Sequence, residues 1–364
     1  MASLKILHTA DWHIGAAFGA LSGEQARLRK THLWQTVDRM IALAKEEQVD
    51  AFLIAGDVFE SINVSLADVR TAFQKLATLM PIPVYIAAGN HDPLNQESFY
   101  AFLELPENVH VMSGDRIEKI EIKPGAYLFG RSFSHRFETG LVGNFSASLG
   151  ENEVGVMLIH GDAGGGEEYN PIKKEVMASS GMNYWALGHI HKRSAAESAG
   201  NSFYAYPGAP EGHGFDELGE MGVYVAEIMP HTVDLRFVPI SEHRYEEINI
   251  DVTDCETEEM IRTKALSLMG AGRERHLYKI VLTGESKGGF SAKSLAESLS
   301  GDAFYVKVKN KTEREERAEE SWSPLAVKMK EYIDAADADE EVRKFALYLG
   351  RAALSGKKVD ILED

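Results

Sequence analysis

The chain of 364 residues has a single cysteine, Cys255, so neither an intrachain disulfide nor a cysteine-built zinc site can form. A reducing, cytoplasmic setting is the expected compartment, and any metal must be held by His, Asp, Glu or Asn. Long apolar runs are missing too. Stretches such as residues 154–159 fall far short of the ~20 residues of a membrane-spanning helix, and residues 1–15 lack the basic-then-apolar order of a secretion signal. No membrane partner is expected. Positive charge is scarce: 38 Lys and Arg face 56 Asp and Glu, a formal net charge of −18. That balance disfavours wrapping nucleic acid on a broadly basic surface. It leaves open phosphate chemistry in a cleft where divalent ions set the local field. The remaining composition, 44% hydrophobic and 26% charged, is that of a chain that folds by burial alone.

Short apolar runs at residues 4–10, 50–55 and 82–88 alternate with helical patterns at 24–47 and 65–80, the second closed by Pro81 and Pro83. This reads as β-α-β-α-β with strands covered on both faces, the pattern of an α/β sheet. From about Val109 the chain is richer in strand patterns, which predicts a second sheet. After Pro239 comes a β-α-β-α-β set over 245–308, then a mixed-charge run at 311–320 and helical segments at 323–336 and 339–354. The predicted division is a core over 1–240, a small α/β cap over 241–312, and a charged linker with C-terminal helices over 313–364.

Five short motifs fall at the ends of predicted strands: Asp11-Trp12-His13, Gly56-Asp57, Gly89-Asn90-His91-Asp92, His160-Gly161 and Gly188-His189-Ile190-His191. Each alone is compatible with a turn, a helix cap or a structural histidine. Together they gather five of the 13 histidines, each beside a strand end, where α/β sheets bind ligands. Asp92 is placed to orient an imidazole through its second nitrogen.

The ordered pattern D-x-H, GD, GNH(D), H and GHxH is complete over residues 11–191, and in it the chain resembles the calcineurin-like metallophosphoesterases. ILHTADWHIG, LIAGDVFE, AAGNHD, WALGHIHK and YPGAPEG are similar to the DNA repair exonuclease subunits of SbcD type within that superfamily. The likeness covers about the first 240 residues and is only architectural beyond them. It implies a four-layer α-β-β-α sandwich, two facing sheets flanked by helices, with a small α/β cap. It implies Asp11, His13 and His191 as ligands of a first metal, Asn90, His160 and His189 as ligands of a second, and Asp57 as their bridge. His91 would stabilise the transition-state phosphoryl group or protonate the leaving oxygen, with Asp92 holding its tautomer. Carboxylate, amide and imidazole donors suit two Mn²⁺ ions, with Mg²⁺, Fe or Zn²⁺ as other choices.

The resemblance further implies exonuclease and endonuclease hydrolysis of phosphodiester bonds at DNA ends in double-strand break repair, a homodimer, and an SMC-like ATPase of SbcC type as partner. The ATPase would dock on stripes of helical spacing, Leu325, Met329, Tyr332 and Ile333, then Val342, Phe345, Ala346 and Leu349. Lys287, Lys293, Lys307, Lys309 and Lys311 are candidate DNA contacts on the cap. The chain departs from part of the family at Glu60, where other members carry a histidine, and His213 is either a phosphate contact or a loop residue. Two alternatives stay open: a phosphodiesterase for nucleotides or other small diesters, which the acidic balance favours, and a non-catalytic adaptor of the ATPase.

Overall fold

The computed structural model describes residues 2–19, 21, 23–61, 64–164, 168–286, 290–314, 324–336 and 338–354. Up to Pro239 the strands are β1 (Leu4–Thr9), β2 (Ala51–Ile54), β3 (Val84–Ile86), β4 (Val109–Val111), β5 (Glu118–Lys123), β6 (Ala126–Arg131), β7 (Val154–His160), β8 (Tyr184–Gly188), β9 (Glu197–Ala199), β10 (Ser202–Ala205), β11 (Gly222–Met229) and β12 (Thr232–Pro239). They form two six-stranded sheets, ordered β12-β11-β1-β2-β3-β4 and β5-β6-β7-β8-β10-β9. In the first, β1 to β4 are parallel and β11 returns antiparallel beside β1. In the second, β6, β7, β8 and β10 are parallel, with antiparallel strands at both edges.

Period-two alternation sorts the side chains of these strands into layers. Phe52, Ile54, Val84 and Ile86 face outward onto α1 (Gly23–Glu46) and α2 (Leu66–Ala77), meeting Leu33, Val37, Met40, Ile41 and Leu76. Ala51, Leu53, Ala55, Tyr85 and Ala87 face the other way, onto Leu128, Val156, Leu158 and Ala186 of the second sheet. Alanines at several of these positions let the two sheets approach closely. α1 buries one stripe at helical spacing. α2 starts at Ser65, whose hydroxyl accepts from the Asp68 amide at 3.1 Å, a cap worth about 1 kcal/mol. One-turn α3 (Phe99–Phe102) packs on the same side. The layer outside the second sheet is thin. Among the described residues it holds α4 (Lys174–Ser179) and loop residues such as Phe133, Leu141 and Phe145.

Beyond Pro239, β13 (Tyr245–Asp251), β14 (Leu277–Thr283) and a further strand, Tyr305–Asn310, make a small parallel sheet. Its Ile250, Ile280 and Leu282 pack on Ile261 and Ala265 of α5 (Glu258–Met269) and Leu295 and Leu299 of α6 (Ala292–Leu299). Glu285–Ser286 and Glu313–Arg314 add a two-residue pairing. The small sheet is anchored to the large ones. Leu218 bridges to Tyr245, and the His32 and His243 rings stack at 3.8 Å. Arg29 of α1 meets Glu211 at 2.5 Å and the Gly212 carbonyl at 2.9 Å, all fully buried. α7 (Pro324–Asp334) and α8 (Glu340–Leu354) pack on each other. No helix among the described residues is long and apolar enough to cross a membrane.

Buried polar side chains join the two sheets from inside, His8 among them. His8 of β1 is fully buried, with Nδ1 at 2.9 Å from the Tyr184 hydroxyl and Nε2 at 3.1 Å from the Leu187 carbonyl, both on β8. Burial pushes its pKa down to about 3, against the partial support of the Leu187 carbonyl. The folded chain therefore keeps His8 neutral while the unfolded chain takes up a proton below pH 6.5. This contribution to stability is complete above about pH 6.5 and declines as pH falls towards 3. Denaturant unfolding should show His8→Gln with a flatter pH profile than the parent, the two curves converging by roughly 3 kcal/mol between pH 7 and pH 4.

Candidate metal centre

Every motif residue lies at the carboxyl end of a parallel strand, and the two sheets aim these ends at one cleft. Asp11 and His13 follow β1, Asp57 follows β2, Asn90 to Asp92 follow β3, His160 ends β7, and His189 and His191 follow β8. The chain must turn sharply after each strand. Asp11, His13, Asp57 and His189 all have positive φ, four of the six non-glycine residues that do so among the described residues. Such strain, concentrated at one cleft, is a mark of a functional site. Close contacts require glycine at several of these turns, Gly89 and Gly188 among them. A Cβ on Gly89 would lie 2.1 Å from Asp57 Oδ1, and one on Gly188 would lie 1.8 Å from the Ala55 carbonyl oxygen.

The donor atoms converge in three overlapping groups, one of them His13, Glu60 and His91. Asp11, His13 and His191 offer ligand atoms within 4.8 Å of one another, as do Asp11, Asp57 and His160. Asp57 lies between, with Oδ2 3.6 Å from His13 Nε2 and 3.4 Å from His160 Nε2. Its Oδ1 accepts from the His91 amide at 2.9 Å. The His189 ring is 5.2 Å from that of His160, and its amide donates to both Asp11 oxygens.

The hydrogen bonds on the far side of each ring settle which nitrogen is free. His13 Nδ1 faces Glu60 Oε2 at 2.7 Å and His191 Nδ1 faces Glu217 Oε1 at 2.6 Å. A carboxylate only accepts, so both Nδ1 atoms carry hydrogen and, in the neutral rings, both Nε2 lone pairs point inward. Those two Nε2 atoms are 3.0 Å apart. Likewise His160 Nδ1 donates to the Ala55 carbonyl at 2.8 Å, and its Nε2 faces Asn90 Oδ1 at 2.9 Å. With neutral rings acceptor would face acceptor at both places, an arrangement that either a shared proton or a metal cation relieves, and the donor set present fits a metal.

Charge follows the same logic. Burial opposes ionisation of His191, but Glu217 and Asp11 outweigh it and push its pKa up to about 9. Burial also works against the Glu217 carboxylate, yet His191 and His213 hold it well below the usual range. Asp11 is pushed up, chiefly by burial. Asp57 is equally buried, yet His160, His13 and His91 hold it down. His189 is pushed down to about 4 by burial and by its neighbour His160.

All seven expected ligands and His91 thus share one cleft, while Asp92 does not do what was expected of it. Its Oδ1 accepts from the Gly89 amide at 2.8 Å, and its Oδ2 from the Val58 and Phe59 amides and the Tyr100 hydroxyl at 2.6 Å. The group oriented by a neighbour is His91, but through the Glu60 carbonyl, 2.9 Å from Nδ1. Adjacent residues on a tight turn project apart, so Asp92 clamps the loops after β2 and β3 instead. His213 stacks on Phe18, with its Nδ1 3.7 Å from Glu217 Oε2. Glu217 had no signal: nothing in the local spacing separates it from Asp216 or Glu220. Substituting Glu217→Gln should weaken Mn²⁺ binding about 10- to 100-fold in a calorimetric titration. Glu220→Gln, whose native carboxylate pairs with Arg244, should leave it unchanged.

The calcineurin-like phosphoesterase family model matches residues 4–193. The chain is 32% identical over 271 residues to the uncharacterized metallophosphoesterase YhaO of Bacillus subtilis, covering 70% of this chain and 64% of that protein. It is 24% identical over 256 residues to a component of the nuclease SbcCD from the same organism, covering 59% and 64%. To the DNA double-strand break repair protein Mre11 of Methanopyrus kandleri it is 23% identical over 349 residues, covering 88% and 74%. Each Bacillus relative is thus matched over less than two thirds of its length. With more than half the chain matched by the family model, and Asp and His side chains gathered to hold metal where that match lies, the chain belongs to the calcineurin-like phosphoesterases and is a metal-dependent hydrolase of phosphoesters.

Proposed function

We propose that this phosphoesterase is a Mn²⁺-dependent nuclease that hydrolyses phosphodiester bonds at DNA ends in double-strand break repair. The observation that carries the proposal is the convergence of His13 on His191 and of His160 on Asn90, with the Asp57 carboxylate between them. Asp11, His13 and His191 would hold one ion and Asn90, His160 and His189 the other, with Asp57 shared. Such a pair of ions, when bound, supplies an activated water and neutralises charge on the phosphoryl oxygens. Donors of this mixed oxygen and nitrogen type favour Mn²⁺ over softer metals.

His91 is the group placed to move a proton. With Nδ1 donating to the Glu60 carbonyl, its Nε2 is left to carry or take up the hydrogen that a leaving oxygen needs. Its side chain is 27% exposed, so substrate can reach it. Asp92 is a positioning residue that holds the loops bearing Asp57 and His91.

We place the nuclease unit at 1–240, a DNA-contacting cap at 241–312 and a partner-docking tail at 313–364. Lys307 and Lys309 are exposed and two apart on one strand, Lys293 and Lys311 are exposed nearby, and Lys287 lies outside the described residues. On the tail, Leu325, Tyr332, Val342 and Phe345 are exposed, as a docking face for an SMC-like ATPase would require. The similarity to the SbcCD nuclease and the Mre11 repair protein supports DNA as a partner, and the family resemblance implies that ATPase and a homodimer. The net charge of −18 favours a second reading, a phosphodiesterase of small diesters.

Purified protein with Mn²⁺ should release label from end-labelled linear duplex DNA, and Asp57→Ala should abolish this. His91→Asn should slow it roughly 10²- to 10⁴-fold while bound manganese, measured by elemental analysis, stays at the parent level. Turnover of bis-(p-nitrophenyl) phosphate with no loss of DNA label would favour the small-diester reading.

A further inference from the structure

From the metal centre, a series of aromatic rings leads outward. The Tyr169 ring lies 5.2 Å from that of His189, with their planes 40° apart. Phe137 continues the series at 5.6 Å and 34° from Tyr169. Phe137 is 62% exposed, and the Arg136 guanidinium stands 5.8 Å from its ring. A lone exposed phenylalanine needs no explanation. This one is different because it ends a stack that begins on a residue of the metal cluster.

The stack is braced. The Glu138 carboxylate accepts from the Ser134 amide at 2.7 Å, the Ser134 hydroxyl at 3.0 Å and the His135 amide at 3.3 Å, closing a tight turn. That turn leaves His135, Arg136 and Phe137 all exposed. Glu138 also bridges to Tyr169, and its carbonyl accepts from the Asn170 amide at 2.8 Å. Asn170 in turn donates through Nδ2 to the His160 carbonyl at 2.9 Å. The backbone that carries Phe137 and Tyr169 is therefore fixed relative to the metal-bearing strand, as a binding platform requires.

We propose that Phe137, backed by Tyr169, is a nucleobase subsite: the base adjoining the phosphate held at the metal centre stacks on the exposed ring, with Arg136 beside it. The proposal rests on the phosphodiesterase reading above and narrows its substrate to one that presents an unpaired base, such as a frayed or single-stranded DNA end. A base inside a duplex has both faces covered by its neighbours and cannot use the platform. Stacking is tolerant of sequence and needs no basic surface, so it suits a strongly acidic protein.

The test uses two single-stranded hexanucleotides with cleavage-resistant phosphorothioate linkages, one carrying 2-aminopurine at its 5′ end and one at its 3′ end, titrated with the Mg²⁺-loaded full chain. Fluorescence of at least one should be strongly quenched on binding. Phe137→Leu, apolar but without a ring, should lose the quenching and bind about tenfold more weakly, whereas Phe137→Tyr should keep both. Quenching of neither probe, or undiminished quenching by Phe137→Leu with an unchanged melting temperature, overturns the subsite. Turnover of bis-(p-nitrophenyl) phosphate by the parent with Mn²⁺ separately decides the phosphodiesterase reading, since the fluorescence requires no cleavage.

Discussion

Two pairs of donor atoms held face to face, His13 on His191 and His160 on Asn90, each pair close enough to share a proton or a cation, are the constraint on which the rest of the molecule depends. In water such groups would turn apart and be solvated. Here each imidazole is fixed from behind, His13 by Glu60, His191 by Glu217 and His160 by the Ala55 carbonyl. Burying polar atoms in that relation is unfavourable, and the cost is sustained only because two packed sheets hold the strand ends in place. The positive φ values after the strands and the absence of room for a side chain at Gly89 and Gly188 are local expressions of the same crowding.

The segment from Glu211 to Gly219 shows how distant parts of the chain serve that constraint. Glu211 is tied to Arg29 and Thr36 of α1, and Leu218 and Gly219 are tied to Tyr245, where the small sheet begins. Glu217, between these anchors, reaches His191. A buried ion pair such as Arg29 with Glu211 contributes little net stability but severely penalises alternative placements of the segment. The orientation of one metal-facing imidazole thus draws on helix α1, a loop and the edge of the small sheet together.

Much of this was legible in the sequence, for a physical reason. Ligand chemistry requires particular residues within two or three positions of a strand end, so Asp11, His13, Asp57, Asn90, His91, His160, His189 and His191 form short readable strings. The sheets were legible through alternation at residues such as Phe52, Leu53 and Ile54. What could not be read was pairing across space. Glu60 stood out as a departure, but its bond to His13 spans 47 positions. Glu217 and the approach of Phe137 to Tyr169 leave no local trace. Asp92 misled because adjacency in the chain suggests contact with His91, while the turn sends the two side chains to different partners. The return of β11 beside β1 is likewise a matter of topology that periodicity does not encode.

The division of ligands between the sheets has a consequence for assembly. Residues 11 to 92 bring their donors on one sheet and residues 160 to 191 bring theirs on the other, so neither half can form the centre alone. Only the docking of the two sheets through their alanine-lined faces completes it. An ion held from both sides would act as a removable cross-link between halves of a long-range topology and would reward the step in which distant strands find their register. A folding intermediate with one sheet formed would carry an incomplete ligand set, and competence for hydrolysis would become a signal that the last large surface had closed.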